Sequence, residues 1–215
     1  MTQTPDADHE AIAAPPLPQL APPWSIRLAR PESEDLARVH KWMAAGHVAA
    51  YWDQAWSTRR WHNELTSQLA GSHSRPCVID LDDEPLAYLE VYRVVRDPLS
   101  AHYQARPHDL GVHIAIGEPH RCGRGLGTAL LRATAEGLLN AEPACTRIVA
   151  EPDDRNDASL AAFARAGFST VRRLGLPHKT AVLLVRPRAD HDLPPADRDL
   201  PPADRDLPPA GREEL

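Results

Sequence analysis

Cysteine is scarce in this 215-residue chain, and its pattern excludes more than its number. Cys77, Cys122 and Cys145 are odd in count, widely spaced and without a Cys-x-x-Cys pair. That argues against a disulfide-stapled secreted scaffold and against a cysteine-held zinc, so a reduced, cytoplasmic compartment is expected. Basic charge is not in excess either: 24 Lys and Arg stand against 30 Asp and Glu, a net charge of −6. Neither nucleic acid nor a membrane surface is expected as a partner, because both favour clustered cations. No apolar run approaches the roughly 20 residues that span a bilayer. The first residues show no basic segment leading into an apolar one, so no secretory signal is read there. His102, His108 and His113 lie close in sequence but lack a metal-ligand spacing, and no metal is expected.

Proline is what the chain has in quantity, 22 residues gathered mostly at its ends. Residues 1–23 read as an extended Pro/Ala-rich arm. Residues 188–215 carry a seven-residue repeat, Asp192-Leu193-Pro194-Pro195-Ala196-Asp197-Arg198 and its successors. Two adjacent prolines per unit forbid a coiled coil, so this tail is expected to be low-complexity and disordered. Between the ends, residues 24–187 read as one mixed α/β domain. Strands are expected at 24–30, 76–82, 86–95, 109–117, 145–151, 168–174 and 179–186. Helices are expected at 32–45, from an N-cap at Ser57 to about 70, at 124–139, and at 156–166 with a stop at Gly167. The turn Asp82-Asp83-Glu84-Pro85 joins two strands as a hairpin. Such an order implies a mixed, largely antiparallel sheet with helices on both faces.

The segment from Asp109 to Leu131 carries the chemistry. Leu110, Val112, Ile114 and Ile116 point to one side of a strand, and Asp109, Gly111, His113 and Ala115 to the other. His113 thus stands among small neighbours, with room expected beside it for a ligand. The turn Cys122-Gly123-Arg124-Gly125-Leu126-Gly127 follows and opens a helix. Successive amides at a helix N-terminus make a cradle for phosphate oxygens. An imidazole beside such a cradle points to group transfer from a phosphate-bearing carrier.

The element order, with Gly123, Gly125 and Gly127 between the fourth strand and the next helix, resembles the GNAT acyl-CoA N-acyltransferases. That resemblance implies a sheet whose fourth and fifth strands splay to admit the donor's pantetheine, with acyl-CoA as co-substrate. Cys122 stands where Gln or Arg is usual, and Arg121 precedes it. The resemblance makes Ile114, Ile116, Arg121, Gly123, Arg124, Gly125, Leu126, Gly127, Thr128 and Asn156 the candidate donor-binding residues. Phe163 falls where many relatives carry a proton-donating Tyr, so that acid is absent. Trp42-Met43, His47-Val48-Ala49, Trp52, Trp56, Tyr88 to Tyr92, Asp97, Tyr103, Pro107 to His113, Glu151 to Asn156 and Leu176 to Ala181 narrow the likeness. They resemble the branch that acylates lysine-like diamines for hydroxamate siderophores.

In that branch a strand His and a carboxylate after the fifth strand are implied as catalytic, which here are His113 and Glu151. Trp52, Glu90, Tyr92, Asp109 and Lys179 are the candidate acceptor contacts. The expected reaction moves an acetyl or longer acyl group to an N-hydroxylated terminal amine, a small molecule. A hydroxylamine nitrogen is neutral at pH 7, whereas a lysine ammonium is not. An acyl-carrier protein stands as an alternative donor. Two rivals remain at this point. One is an aminoglycoside N-acetyltransferase, whose polycationic acceptor would need an acidic groove from Glu90, Asp97, Asp109 and Glu118. The other is a non-catalytic acyl-CoA-binding module.

Overall fold

A computed structural model describes residues 12–177 and 179–195. Local signals in the sequence place most element ends. Helix α1 (Glu34–Met43) starts at Ser33, whose side chain accepts from the Asp35 amide. It carries Glu34 and Asp35 in its first turn and His40 and Lys41 in its last, as the helix dipole favours. It is two residues shorter at each end than the pattern predicts. The short α2 (Gly46–Ala49) was not expected from the sequence. Helix α3 (Thr58–Ala70) is capped by Ser57 and followed by Gly71, as expected.

Seven strands form one sheet in the order β1-β2-β3-β4-β5-β7-β6. They are β1 (Trp24–Leu28), β2 (Ser74–Leu81), β3 (Glu84–Arg93), β4 (Leu110–Ile116), β5 (Arg147–Ala150), β6 (Ser169–Leu176) and β7 (Lys179–Pro187). Every pairing is antiparallel except β4 with β5. The β2–β3 hairpin turns on Asp82 and Asp83, both at positive φ. Glu84 and Pro85, expected in the turn, are already in β3.

Helices α4 (Leu126–Ala141) and α5 (Asp157–Arg165) cover one face. Leu130, Leu131, Ala135 and Leu138 pack there with Leu89, Val91, Leu110, Val112 and Ile148. On the other face α1 and α3 bury Val39, Met43, Trp61 and Leu65 with Val78 and Tyr88. A third cluster, around Tyr92, Tyr103, Val149, Leu174 and Leu183, fills the rest.

The arm and the start of the tail are held to this body. Arg93 donates from Nε to the Ala13 carbonyl and Arg96 to that of Ile12. The Gln19 amide donates to the Gly137 carbonyl, and a Cβ at Gly137 would meet the Gln19 backbone at 2.6 Å. Arg188 donates to the Cys145 and Leu139 carbonyls, and Asp192 pairs with Arg106 at 2.5 Å. The packed region therefore continues past residue 188, where the sequence pattern placed the start of the tail. Most of the seven-residue repeat lies outside the described residues. Among the described residues no helix is long and apolar enough to cross a membrane, and no group of three or more His, Cys, Asp or Glu could hold a metal ion.

Candidate active site

Strand parity assembles the site. In the short parallel ladder Leu110 stands opposite Ile148 and Gly111 opposite Val149, after which β4 and β5 part. Two residues further along the chain from each of Gly111 and Val149 lie His113, still in β4, and Glu151, the residue after β5, which parity returns to the same face. They meet across the opening, His113 Nε2 at 2.6 Å from Glu151 Oε1. The antiparallel register with β3 places Glu90 opposite His113 and Tyr92 opposite Gly111. Glu90 Oε2 lies 3.8 Å from His113 Nδ1. The imidazole is thus held between two carboxylates, with the Trp52 ring edge-on at 5.4 Å.

Burial by itself lowers the His113 pKa, but the charge and hydrogen bond of Glu151, with Glu90 behind them, raise it to about 10. The same contact works in reverse on Glu151. Burial raises its pKa, while His113, Lys179 and the Tyr92 hydroxyl hold it down to about 2. At neutral pH the resting pair is an imidazolium and a carboxylate. Nε2–H is committed to Glu151, so Nδ1, which faces Glu90 at 3.8 Å, is the nitrogen left to exchange a proton with a ligand.

Several expected contacts take other roles. Asp109 is fully buried and cannot touch an acceptor. Its oxygens accept from Arg147 Nε at 2.9 Å, from Arg147 Nη2, and from the Tyr103 hydroxyl and Arg106 amide at 2.9 Å each. Tyr92 is 1% exposed and also out of acceptor reach; its hydroxyl donates to Glu151 Oε2 at 2.8 Å. Its ring occupies the space over Gly111, so the room expected beside His113 on that side is filled. Lys179 Nζ donates to the Glu151 carbonyl at 2.7 Å and lies 3.7 Å from its Oε1, anchoring that residue. Asn156 spends its side-chain oxygen capping α5 through the Ser159 amide. Trp52, half-buried, and Glu90, 9% exposed, remain beside His113 as candidate acceptor contacts.

The sequence reading missed Gln68. Its Nε2 donates to Glu90 Oε1 at 2.9 Å and to Glu64 Oε1 at 3.0 Å, fixing the carboxylate that faces Nδ1. The available signal was a polar residue continuing the buried α3 stripe of Trp61 and Leu65.

At the far end of β4 the glycine turn is open. Gly123 and Gly125 have φ of 72° and 79°, and a Cβ at either would meet nothing within 4 Å. Gly125 caps α4 without a side-chain hydrogen bond, leaving the amides of Leu126, Gly127 and Thr128 with no intrahelical acceptor. These groups fit a diphosphate. Arg121 and Arg124 flank them, and Ile116 lies against Gly127. Ile114 and Ile116 are half-buried along the parted edge of β4. Trp42 fills the space a Cβ would take at Gly117, and His47 Nε2 lies 2.9 Å from the Ile116 carbonyl. Those family-like aromatic and histidine positions therefore brace the approach to the turn. Phe163 packs against Phe168 in the α4–α5 core, and no hydroxyl stands there.

This fold and turn define an acyltransferase class, and the comparisons agree. Residues 32–176 match the family model described as acetyltransferase (GNAT) domain. The chain belongs to the GNAT family and is an N-acyltransferase. It is similar to "Lysine N-acyltransferase MbtK" of Mycolicibacterium paratuberculosis, 39% identical over 172 residues, 77% of either chain. It is also similar to "N(6)-hydroxylysine O-acetyltransferase" of Escherichia coli, 31% identical over 76% of this chain and 52% of that one. Among solved structures it resembles aminoglycoside acetyltransferase AAC(6')-Ib in complex with coenzyme A and kanamycin. That match has a TM-score of 0.69 and 26% identity, over 77% of this chain and 95% of the other.

Proposed function

We propose that this cytoplasmic enzyme transfers an acyl group from acyl-CoA to the N-hydroxylated terminal amine of lysine or a related diamine. The product is a hydroxamate for siderophore assembly. The observation that carries the reading is the Glu90–His113–Glu151 row, its His113–Glu151 contact spanning the β4–β5 opening, on the same strand that leads into the open glycine turn. The turn amides and Arg121 and Arg124 hold the donor's phosphates, and the parted edge of β4 holds its pantetheine arm beside Ile114 and Ile116. The names of the mycobacterial and E. coli relatives support the lysine-type acceptor.

His113 Nδ1 and Glu90 receive the acceptor nitrogen, with Trp52 against its methylene chain. A new C–N bond forms as the C–S bond breaks, and the proton leaving nitrogen passes to Nδ1 of the neutral imidazole, the minority form at pH 7. Glu151 stabilises the imidazolium so formed. With Phe163 unable to donate, that proton goes from His113 to the departing thiolate or to water.

Of the four acids from which the aminoglycoside reading would build a groove, Glu90 stands beside His113 and the other three are engaged elsewhere. Asp109 is buried against Arg147, Glu118 pairs with Lys41 at 2.6 Å, and Asp97 faces His73. The test is thiol release from acetyl-CoA and a long-chain acyl-CoA, with N6-hydroxylysine, N-hydroxycadaverine, lysine and kanamycin in parallel. A hydroxylated amine is expected to be preferred; preference for kanamycin overturns the proposal. His113→Gln is expected to lower turnover by about 10²-fold or more while donor binding persists. Unchanged turnover would remove His113 from the chemistry.

A further inference from the structure

Tyr92 is a large polar side chain with no reason of packing alone to keep its hydroxyl where it is. Its β3 position faces Gly111 on β4, and the two are a notch and its filling. A Cβ on residue 111 would lie 2.0 Å from Tyr92 Cζ and 2.3 Å from Cε2. Only the missing side chain lets the ring lie flat across β4 toward β5. There its centroid is 4.7 Å from that of His113 at an interplanar angle of 33°. The hydroxyl ends 2.8 Å from Glu151 Oε2, the oxygen that His113 does not use.

We propose that Tyr92 is a positioning residue for acyl transfer: seated over Gly111, it fixes the Glu151 carboxylate and thereby sets how tightly His113 holds its proton. The inference rests on the proposed acyl-transfer reading for its catalytic consequence, though not for the contact itself. A hydroxyl that donates to a carboxylate spreads its charge and weakens its pull on a neighbouring imidazolium. Burial pushes the Tyr92 phenol well above its usual range, so it remains a neutral donor. The other charged and titratable groups around the pair are Glu90 from β3, Lys179 from β7, Asp97 and Tyr103 beside Tyr92, and His73. The His73 ring is tilted at 57° to that of Tyr92 with centroids 6.1 Å apart, and it lies 3.4 Å from Asp97.

Tyr92→Phe removes the hydroxyl and keeps the ring. The His113 ring is titrated by NMR in the free protein, and thiol release is followed against pH. The variant's His113 is expected to bind its proton about three- to tenfold more tightly than the wild type, a midpoint shifted upward by half to one pH unit. Turnover at pH 7 is expected to fall by a similar factor and to recover as the pH is raised, with the donor's KM unchanged. Gly111→Ala, which unseats the ring, is expected to move the titration the same way. An unchanged His113 midpoint in Tyr92→Phe overturns the proposal, as does a loss of turnover that higher pH does not restore. The titration needs no substrate. A shifted midpoint in a protein that acylates none of the amines would leave the Tyr92 contact standing and sink the acyl-transfer reading instead.

Discussion

His113 is surrounded by groups that favour its charged form, and this governs how the reaction should respond to pH. With a pKa near 10, its neutral form grows tenfold for each unit between pH 7 and about 9.5. A hydroxylamine acceptor is neutral over that whole range, so log kcat/KM is expected to rise with a slope near 1. A plain lysine amine, with a pKa of about 10.4, must also lose a proton, and its slope is expected to approach 2. Initial rates across this range with both acceptors check the assignment, and a flat profile would remove His113 as the base. At this scale the sequence was partly legible. Alternation along 109–117 put His113 on one face, and family resemblance pointed to Glu151. It did not separate residues that touch a ligand from those that hold others in place. Asp109, Tyr92 and Lys179 are the polar types that an acceptor would also use. What distinguishes them is partners 38 to 59 residues distant for Asp109 and Tyr92, and 28 for Lys179.

At the scale of elements, caps and turns were the most legible features. Ser57 starts a helix and Gly167, at φ 90°, follows one, as expected, whereas Asn156, read as a donor contact, starts another. Their signals are local, and the backbone hydrogen bonds they complete lie within a few residues. The brief α2 carries no such signal, because four residues are too few for a period. The donor turn allows a clean test. At Gly125 an alanine would clash with nothing, so its effect is backbone strain of about 1–2 kcal/mol in the left-handed region. Gly125→Ala is expected to weaken coenzyme A binding by about tenfold, measured by calorimetry, while leaving the fold's thermal midpoint within a few degrees of the wild type. Undiminished binding would argue that the amides do not hold the phosphates.

The whole molecule is a sheet closed on one face by α4 and α5 and on the other by two separate clusters, with the His113–Glu151 pair between them. Because both groups are shifted, the pair links fold stability to pH. Its contribution is complete between about pH 4.5 and 6.5, above the ordinary Glu value and below the ordinary His value. It declines above 6.5, where the unfolded imidazole sheds its proton and the folded one retains it to about 10. It declines below 4.5, as Glu151 is protonated first in the unfolded chain and in the fold only near 2. The difference in urea midpoint between wild type and His113→Gln is therefore expected to peak near pH 5–6. A difference independent of pH would show that the pair adds nothing to stability.

The opening between β4 and β5 places a further demand on the chain, one of length. His113 and Glu151 are each two steps past the last rung of their ladder, and two is an even number. Inserting or removing one residue on either strand between rung and side chain would turn that side chain to the opposite surface of the sheet. Every residue type could be preserved and the pair would still be lost, one member left facing α4. What this part of the chain encodes is therefore a count as much as a composition, and among functional descendants gaps should be rarer here than exchanges.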